Sequence, residues 1–161
     1  MAQSDYFLKI DGVQGESTDD KHKNEIDVLS WSWGESNAAT FGSGGGGGAG
    51  KVQMQDLHFT MKVSKASPVL MLSCASGKHI AKAELFARKA GGAQEEYMKF
   101  TLSDVMVSSY QTGGSGGDVV PVDQVALSYS KIEMEYKPQD AKGAMGSPVK
   151  AGWDRAKNVK V

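Results

Sequence analysis

The sequence predicts a mainly β fold: a single antiparallel β-barrel domain with one short α-helix and a long glycine-rich loop. Apolar and polar residues alternate with a period of two through most patterned segments, which is typical of half-buried strands. The alternation changes phase inside the two longest segments, which indicates the sharply bent strands that close barrels. One segment lacks this period and carries the start and stop signals of a helix.

Six segments show the alternation of a strand. They are residues 5–11, 25–34, 56–63, 79–88, 96–110 and 119–137. In the last two, the apolar residues change parity after Leu102 and after Tyr129. A strand that changes phase turns first one face and then the other to the core, so we expect a sheet that bends back on itself.

The alternation also slips inside residues 25–34, which predicts a bulge or a bend. The apolar residues before the slip are Ile26 and Val28, and those after it are Leu29, Trp31 and Trp33. If the second group points into the core, alternation places Ser30 and Ser32 on the opposite face. Two interpretations of that small polar face stay open: an ordinary solvent-exposed face, or a smooth wall that contacts a partner.

The predicted helix occupies residues 66–77. Ser67 is a common capping residue, Pro68 suits the first helical position, and Gly77 suits the residue after the last turn. The apolar run Val69–Leu72 gives the helix a surface for packing. The lone Cys74 lies inside this pattern, and we expect it to be a buried structural residue.

Glycine accounts for 20 of the 161 residues, and seven of them fall between Gly42 and Gly50. Residues 36–50 are therefore predicted to form a long loop. Residues 137–161 are predicted to be a basic tail of the single domain that spans residues 1–161. The formal charge is −5 over residues 1–36 and +3 over residues 138–161. Such opposite charges suit self-association, although a solvated tail explains them equally well.

Composition argues against several classes of function. The net charge of −1 and the pI of about 6.3 lack the basic excess of most nucleic-acid binders, so no nucleic-acid partner is expected. The longest apolar run has four residues, whereas a membrane-spanning helix needs about 20, so no membrane insertion is expected. The first residues show no basic stretch followed by an apolar one, so a cleavable Sec signal is not expected.

The residues show no constellation for catalysis or for a metal. Gly45–Lys51 matches the spacing of a phosphate-binding loop, but Val52 stands where Ser or Thr is needed and a strand pattern follows. The three histidines have no partner at metal-ligand spacing, and no nucleophile elbow occurs. We therefore expect no catalytic residue, no metal and no cofactor.

Short motifs along nearly the whole chain resemble the hemolysin-coregulated protein family, the tube protein of bacterial type VI secretion. They are Phe7–Ile10, Gly15–Ser17, Glu25–Val28, Trp31–Gly34, Gly50–Val52, Ser67–Pro68, Cys74–His79, Arg88–Gly92, Val107–Ser109, Tyr136–Gln139 and Gly152–Trp153. Because the motifs occur in order from end to end, the resemblance does not depend on any one of them.

The resemblance implies a β-barrel flanked by a helix, and a homo-hexameric ring that stacks head to tail into a tube. It implies effector proteins in the ring lumen, a spike protein at the tip and a contractile sheath as partners. It also implies synthesis in the bacterial cytoplasm, export by the type VI apparatus, and no catalytic activity.

In a ring of this kind, the polar face of residues 25–34 would line the lumen, so Ser30 and Ser32 are the candidate effector-binding residues. The candidate ring-stacking residues in the long loop are Ser36, Asn37, Phe41, Gly42, Gly44, Gly48, Gly50 and Lys51. Weaker candidates for the same contact are Lys150, Arg155 and Lys157. The alternative is a small monomeric ligand-binding or hydrolytic β-barrel, which oligomeric mass would distinguish from a ring.

Overall fold

The computed structural model describes residues 3–38, 48, 50–91 and 93–161. In this part of the chain, the strands are β1 (Ser4–Ile10), β2 (Ile26–Val28), β3 (Ser30–Ser32), β4 (Glu35–Ser36), β5 (Gln53–Met54), β6 (Leu57–Lys62), β7 (Ile80–Lys89), β8 (Glu96–Gly113), β9 (Val122–Tyr136), β10 (Val149–Asp154) and β11 (Val159–Lys160). The helix α1 spans Ala66–Ser76. This composition confirms the mainly β prediction with one short helix. No helix within the described ranges is long and apolar enough to cross a membrane.

Nine strands form one antiparallel sheet that closes on itself. The order is β11-β10-β9-β8-β7-β1-β2, and β6 pairs with both β9 and β3. Only Leu29 separates β2 from β3, so one short segment pairs with β1 at its start and with β6 at its end. The pairings therefore lead from β1 through β7, β8, β9 and β6 back to the same segment.

The slip within residues 25–34 is a bend at Leu29. The Leu29 backbone N–H donates to the Thr60 carbonyl at 2.9 Å, and its side chain is 50% exposed. The prediction that Leu29 points into the core is therefore wrong. The segment changes its partner strand at this residue, which turns the side chain outward. Trp31 and Trp33 pack against the core as expected.

The two longest strands change phase opposite each other, as predicted. The buried residues on either side of the change are Leu102 and Val105 in β8 and Tyr129 and Ile132 in β9. Asp104 lies at the change with a φ of 52°, between the pairs Ser103–Lys131 and Val105–Tyr129 that flank Ser130 on β9. The Ser130 hydroxyl donates to Asp104 Oδ2 at 2.9 Å. A paired irregularity in both strands lets the sheet turn without losing the ladder around it.

Large apolar side chains fill the barrel interior. Those that are 2% exposed or less include Leu8, Ile10, Leu57, Phe59, Met61, Leu70, Leu85, Leu102, Val105 and Leu127. They come from β1, β6, β7, β8, β9 and α1, and Ile26 and Val28 of β2 join the same buried cluster. The strands and the helix therefore share one hydrophobic core.

His22 lies in the connection between β1 and β2 and is only 2% exposed. Its ring stacks on Phe7 with a centroid distance of 4.4 Å. Nδ1 lies 2.9 Å from Glu25 Oε1, and Nε2 lies 2.7 Å from Glu96 Oε1, although out of line for a hydrogen bond. This connection is thus fixed to β1 and β8.

Arg88 provides a second anchor for the same connection. Its guanidinium is buried, lies over the Phe7 ring at 4.8 Å, and donates twice to the Asp19 carboxylate at 2.8 Å. This paired hydrogen bond lowers the pKa of Asp19 below its ordinary 3.8. Asp19 therefore binds within the fold, whereas its acidic surroundings in the sequence suggest only solvated charge.

Helix α1 differs from the prediction at its start and agrees at its end. Its N-cap is Lys65, without a side-chain cap, so the expected capping role of Ser67 is wrong. The Ser67 hydroxyl instead accepts from the Ser64 N–H at 3.0 Å and donates to Asp123 Oδ2 at 2.5 Å. Gly77 ends the helix with a φ of 65°, a left-handed conformation that favours glycine.

The C-terminal segment forms the hairpin β10–β11 beside β9, where the sequence pattern predicts no strand. Its side chains are exposed or half-buried, so the alternation that reveals strands is weak. Gly152 fits because a Cβ there would lie 2.8 Å from Glu133 Cγ and 3.0 Å from the Ile132 carbonyl oxygen. The basic segment is therefore an ordered edge of the sheet.

Candidate functional site

Four adjacent strands, β3, β6, β9 and β8, carry small polar side chains on the outer face of the barrel. They line an open depression of about 400 Å³. We call this surface the polar wall, and it comprises Ser30, Ser32, His58, Thr60, Ser109, Gln111, Gln124 and Ala126. Ser30 and Ser32, the two residues singled out from the sequence, are both exposed and lie in it.

The strand register arranges the polar wall in two rows that run across the sheet. The first row is Ser30, Thr60, Gln124 and Gln111, and the second is Ser32, His58, Ala126 and Ser109. Alternation along the strands, with a register shift between Val107 and Ser109 in β8, leaves seven of the eight exposed or half-buried, whereas Ala126 is only 3% exposed. The sequence revealed the polar face of β3 and of β6, but it could not show which residues of β8 and β9 lie beside them.

The polar wall contains no Asp, Glu, Lys or Arg side chain. The Ser30 and Thr60 hydroxyls bond to each other at 2.7 Å across β3 and β6. Asp56 precedes β6, and its carboxylate accepts from the Ser108 hydroxyl at 2.7 Å. Hydroxyl and amide groups both donate and accept, so this surface can match varied polar partners without desolvating a fixed charge.

Aromatic side chains support β3 from behind the wall. The Trp31 ring lies edge-on to Tyr6 at 5.9 Å and to Phe100 at 5.4 Å. Trp33 Nε1 donates to the Tyr129 hydroxyl at 2.5 Å, and that hydroxyl donates to the Gln55 carbonyl at 2.8 Å. These contacts fix the strand, so its serines are held in one orientation.

The base of the long loop is a two-stranded ribbon made by β4 and β5. Beyond it, the Asn37 side-chain amide donates to the Gly50 carbonyl at 2.8 Å, and the Gly50 N–H donates to the Ala38 carbonyl at 3.1 Å. The described stacking candidates of this loop are all exposed: Ser36, Asn37, Gly48, Gly50 and Lys51. The other candidates, Phe41, Gly42 and Gly44, lie outside the described residues.

The basic candidates of the C-terminal segment have different surroundings. Lys150 lies exposed on β10, and Lys157 lies exposed in the turn of the hairpin. The Arg155 guanidinium lies 5.0 Å from the centre of the Tyr129 ring and donates to the Tyr129 carbonyl at 3.2 Å. Arg155 therefore has a partner within its own chain, whereas the two lysine ammonium groups are directed to the surface.

In the part of the chain that the structure describes, no group of three or more His, Cys, Asp or Glu side chains is arranged to hold a metal.

Comparison with known protein families shows which family this chain belongs to. A family model described as "Type VI secretion system effector, Hcp" matches residues 7–136. The chain belongs to the Hcp family of type VI secretion proteins. It is 51% identical to protein hcp1 of Pseudomonas aeruginosa over 157 residues, which cover 96% of this chain and 97% of that protein.

Solved Hcp structures have the same fold. A structure of a type six secretion system protein matches with a TM-score of 0.94 and 35% identity, covering 99% of this chain and 100% of that one. Hcp1 of Salmonella typhimurium matches with a TM-score of 0.80 and 40% identity, and all of both chains is covered. Hcp stands for hemolysin-coregulated protein, so the family resemblance inferred from the sequence motifs is confirmed.

Proposed function

We propose that this Hcp protein is a structural component of the type VI secretion tube: six copies form a ring, and rings stack into the tube. The polar wall lines the ring lumen and binds effector proteins through Ser30 and Ser32. The observation that carries this proposal is the wall itself, because it is a wide surface of eight aligned side chains with no fixed charge.

Two strand edges at the sides of the wall support a ring. Within the described residues, β3 pairs with β6 alone, and the stretch Met106–Gly113 of β8 pairs with β9 alone. These edges lie on opposite sides of the four-stranded wall. Unpaired strand edges favour contact with further chains. Contacts from the β3 edge of one copy to the β8 edge of the next would join six walls into one continuous lining.

Stacking of the rings is assigned to the exposed ribbon and to the C-terminal hairpin. Ser36 lies in the ribbon, Asn37, Gly50 and Lys51 lie next to it in the loop, and Lys150 and Lys157 offer ammonium groups from the hairpin. Gly50 is in close contact with its own ribbon, since a Cβ there would lie 3.0 Å from the Ala38 carbonyl oxygen. Substitution of Gly50 would therefore disturb the ribbon that presents the loop.

The partners of the assembled tube follow from the same role. We assign a contractile sheath around the tube and a spike protein at its tip, with export of the rings by the type VI apparatus. The role is structural and not enzymatic. A monomeric ligand-binding barrel has less support, because core side chains fill the barrel interior.

Sedimentation velocity at micromolar concentration tests the ring. The proposal expects a species of about 103 kDa, six times the 17.1 kDa chain. A single 17.1 kDa species at every concentration contradicts it and favours the monomeric alternative.

An effector-binding measurement tests the wall. Ser32→Gln leaves the ring intact, because the new side chain points into open space, and it weakens binding of an effector that fits the lumen. Lys9→Gln on the exposed side of β1 is the matched control and leaves binding unchanged. Equal binding by wild type and Ser32→Gln contradicts the assignment of the wall.

A further inference from the structure

Helix α1 buries Leu70 but leaves the other three members of its apolar run, Val69, Met71 and Leu72, exposed, unlike an ordinary surface helix. Ser67 and Ser73 are buried, whereas Val69, Met71 and Leu72 are 38%, 54% and 64% exposed. No charged residue occurs between positions 66 and 76. A surface helix normally turns its apolar stripe to the core, so this outer face has the character of an interface.

This face lies at the β8 edge of the polar wall. At the end of the helix, a Cβ on Gly77 would lie 3.5 Å from Met106 Cε of β8. Near its start, Ser67 bonds to Asp123, which pairs in register with Thr112 of β8. The helix therefore runs beside the stretch of β8 that pairs with β9 alone.

An acidic cleft of about 400 Å³ lies at the opposite side, between β1 and β2, and reaches Leu29, next to the start of β3. Its lining includes Asp5, Asp19 and Asp27, which face one cation, Arg88. The half-exposed Leu29 adds an apolar surface. We call Asp5, Asp19, Asp27, Val28 and Leu29 the acidic notch.

We propose that the outer face of α1 docks into the acidic notch of the neighbouring copy in the ring. This inference rests on the proposed ring and adds a lateral contact outside the lumen. Met71 and Leu72 pack against Leu29 of the next copy. Lys65 and Lys78, exposed at the two ends of α1, lie near its carboxylates.

The charges of the two surfaces are complementary. Burial raises the pKa of Asp27 and the nearby Asp19 and Asp5 carboxylates raise it further, whereas the hydrogen bond with Ser17 and the charge of Lys62 lower it. An ammonium group from a second copy would add to the stabilisation that Lys62 and Arg88 supply, since Asp19 already occupies two of the Arg88 donors. The notch therefore favours a partner that carries both an apolar surface and lysines.

The two surfaces are also compatible with a closed assembly. They are different patches at opposite edges of one protomer, so each copy offers the helix to one neighbour and the notch to the other. Head-to-tail contacts of this kind generate rings when the rotation between copies closes.

A pair of charge insertions tests the contact. Leu72→Arg and Val149→Arg replace side chains that are 64% and 67% exposed, the first on α1 and the second on β10. Leu72→Arg raises the concentration needed for ring formation by about tenfold or more, since an arginine enters an apolar contact. Val149→Arg does not. Circular dichroism checks that both variants fold.

Equal ring formation by the two variants overturns the proposal. A wild-type protein that is monomeric at all concentrations instead overturns the ring itself, so the two failures are distinguishable.

Cross-linking tests the predicted neighbours directly. In a Cys74→Ala background, the double substitution Leu29→Cys with Leu72→Cys is treated with a short bismaleimide. The contact predicts a ladder of products up to the hexamer, and it predicts no ladder for either single substitution. A ring without a ladder, or a dimer from Leu72→Cys alone, overturns the proposal.

Discussion

The polar wall and helix α1 follow opposite rules for placing side chains. On the wall, strand alternation sends Trp31, Phe59 and Val125 inward and small polar groups outward. On the helix, Ser67 and Ser73 point inward beside Leu70, while three other large apolar groups point outward. The barrel core explains the wall, because burial of one strand face leaves the other for polar residues. The barrel core does not explain the outer face of α1, and we infer that assembly does.

Substitutions on the two faces of β6 are expected to give the largest difference in the free energy of unfolding. Phe59→Ala removes a ring that is 2% exposed, so it lowers the free energy of unfolding by about 3–5 kcal/mol. His58→Ala, one residue earlier on the wall, changes it by less than about 0.5 kcal/mol. Urea unfolding of both variants measures the difference. Similar losses in the two would mean that the wall is part of the folding core.

Substitutions on the two sides of α1 are expected to give a smaller difference in the free energy of unfolding of the protomer. Ser67→Ala leaves Asp123, which is 0% exposed, without its 2.5 Å donor and costs about 1–3 kcal/mol. Leu72→Ser on the outer side costs about 0.5 kcal/mol, mainly through helix propensity. The measurement uses denaturant at a concentration where the ring has dissociated. A larger loss from Leu72→Ser than from Ser67→Ala would show that the outer face packs within the chain.

The acidic notch gives the smallest effect, and this effect depends on pH. Arg88 lowers the pKa of Asp19, so the ion pair adds stability above pH 3.8 that is lost as pH falls through the lowered value. Asp19→Asn is therefore less stable than wild type near neutral pH, and the difference shrinks toward pH 2. Thermal unfolding of wild type and Asp19→Asn from pH 2 to 7 measures this difference in stability. A difference that stays constant with pH would mean that the loss is not electrostatic.

The alternation of apolar and polar residues predicted most strands, because burial of one face of a strand requires an apolar residue at every second position. The phase changes near Asp104 and Ser130 were visible for the same reason. The turn of Leu29 away from the core was not, because it depends on a change of partner strand that no local pattern encodes. The hairpin β10–β11 was missed because it buries little apolar surface.

The candidate site was predictable only in part. Ser30 and Ser32 were identified from their position between core residues, and the rest of the wall needed the register of β6, β8 and β9. The buried contacts of His22 with Glu96 and of Arg88 with Asp19 were hidden as well, since the partners are distant in sequence. Contacts between segments that are distant in the sequence could not be predicted from composition and residue spacing.

Distances between spin labels test the central claim, that the polar wall faces the lumen of a ring. In a Cys74→Ala background, one label is placed through Ser32→Cys on the wall and another, in a second variant, through Lys9→Cys on exposed β1. A six-fold ring gives each variant intermolecular distances in the ratio of about 1: 1.7: 2. The account predicts shorter distances for the Ser32 label than for the Lys9 label. Longer distances for Ser32, or no intermolecular coupling in either variant, would contradict it.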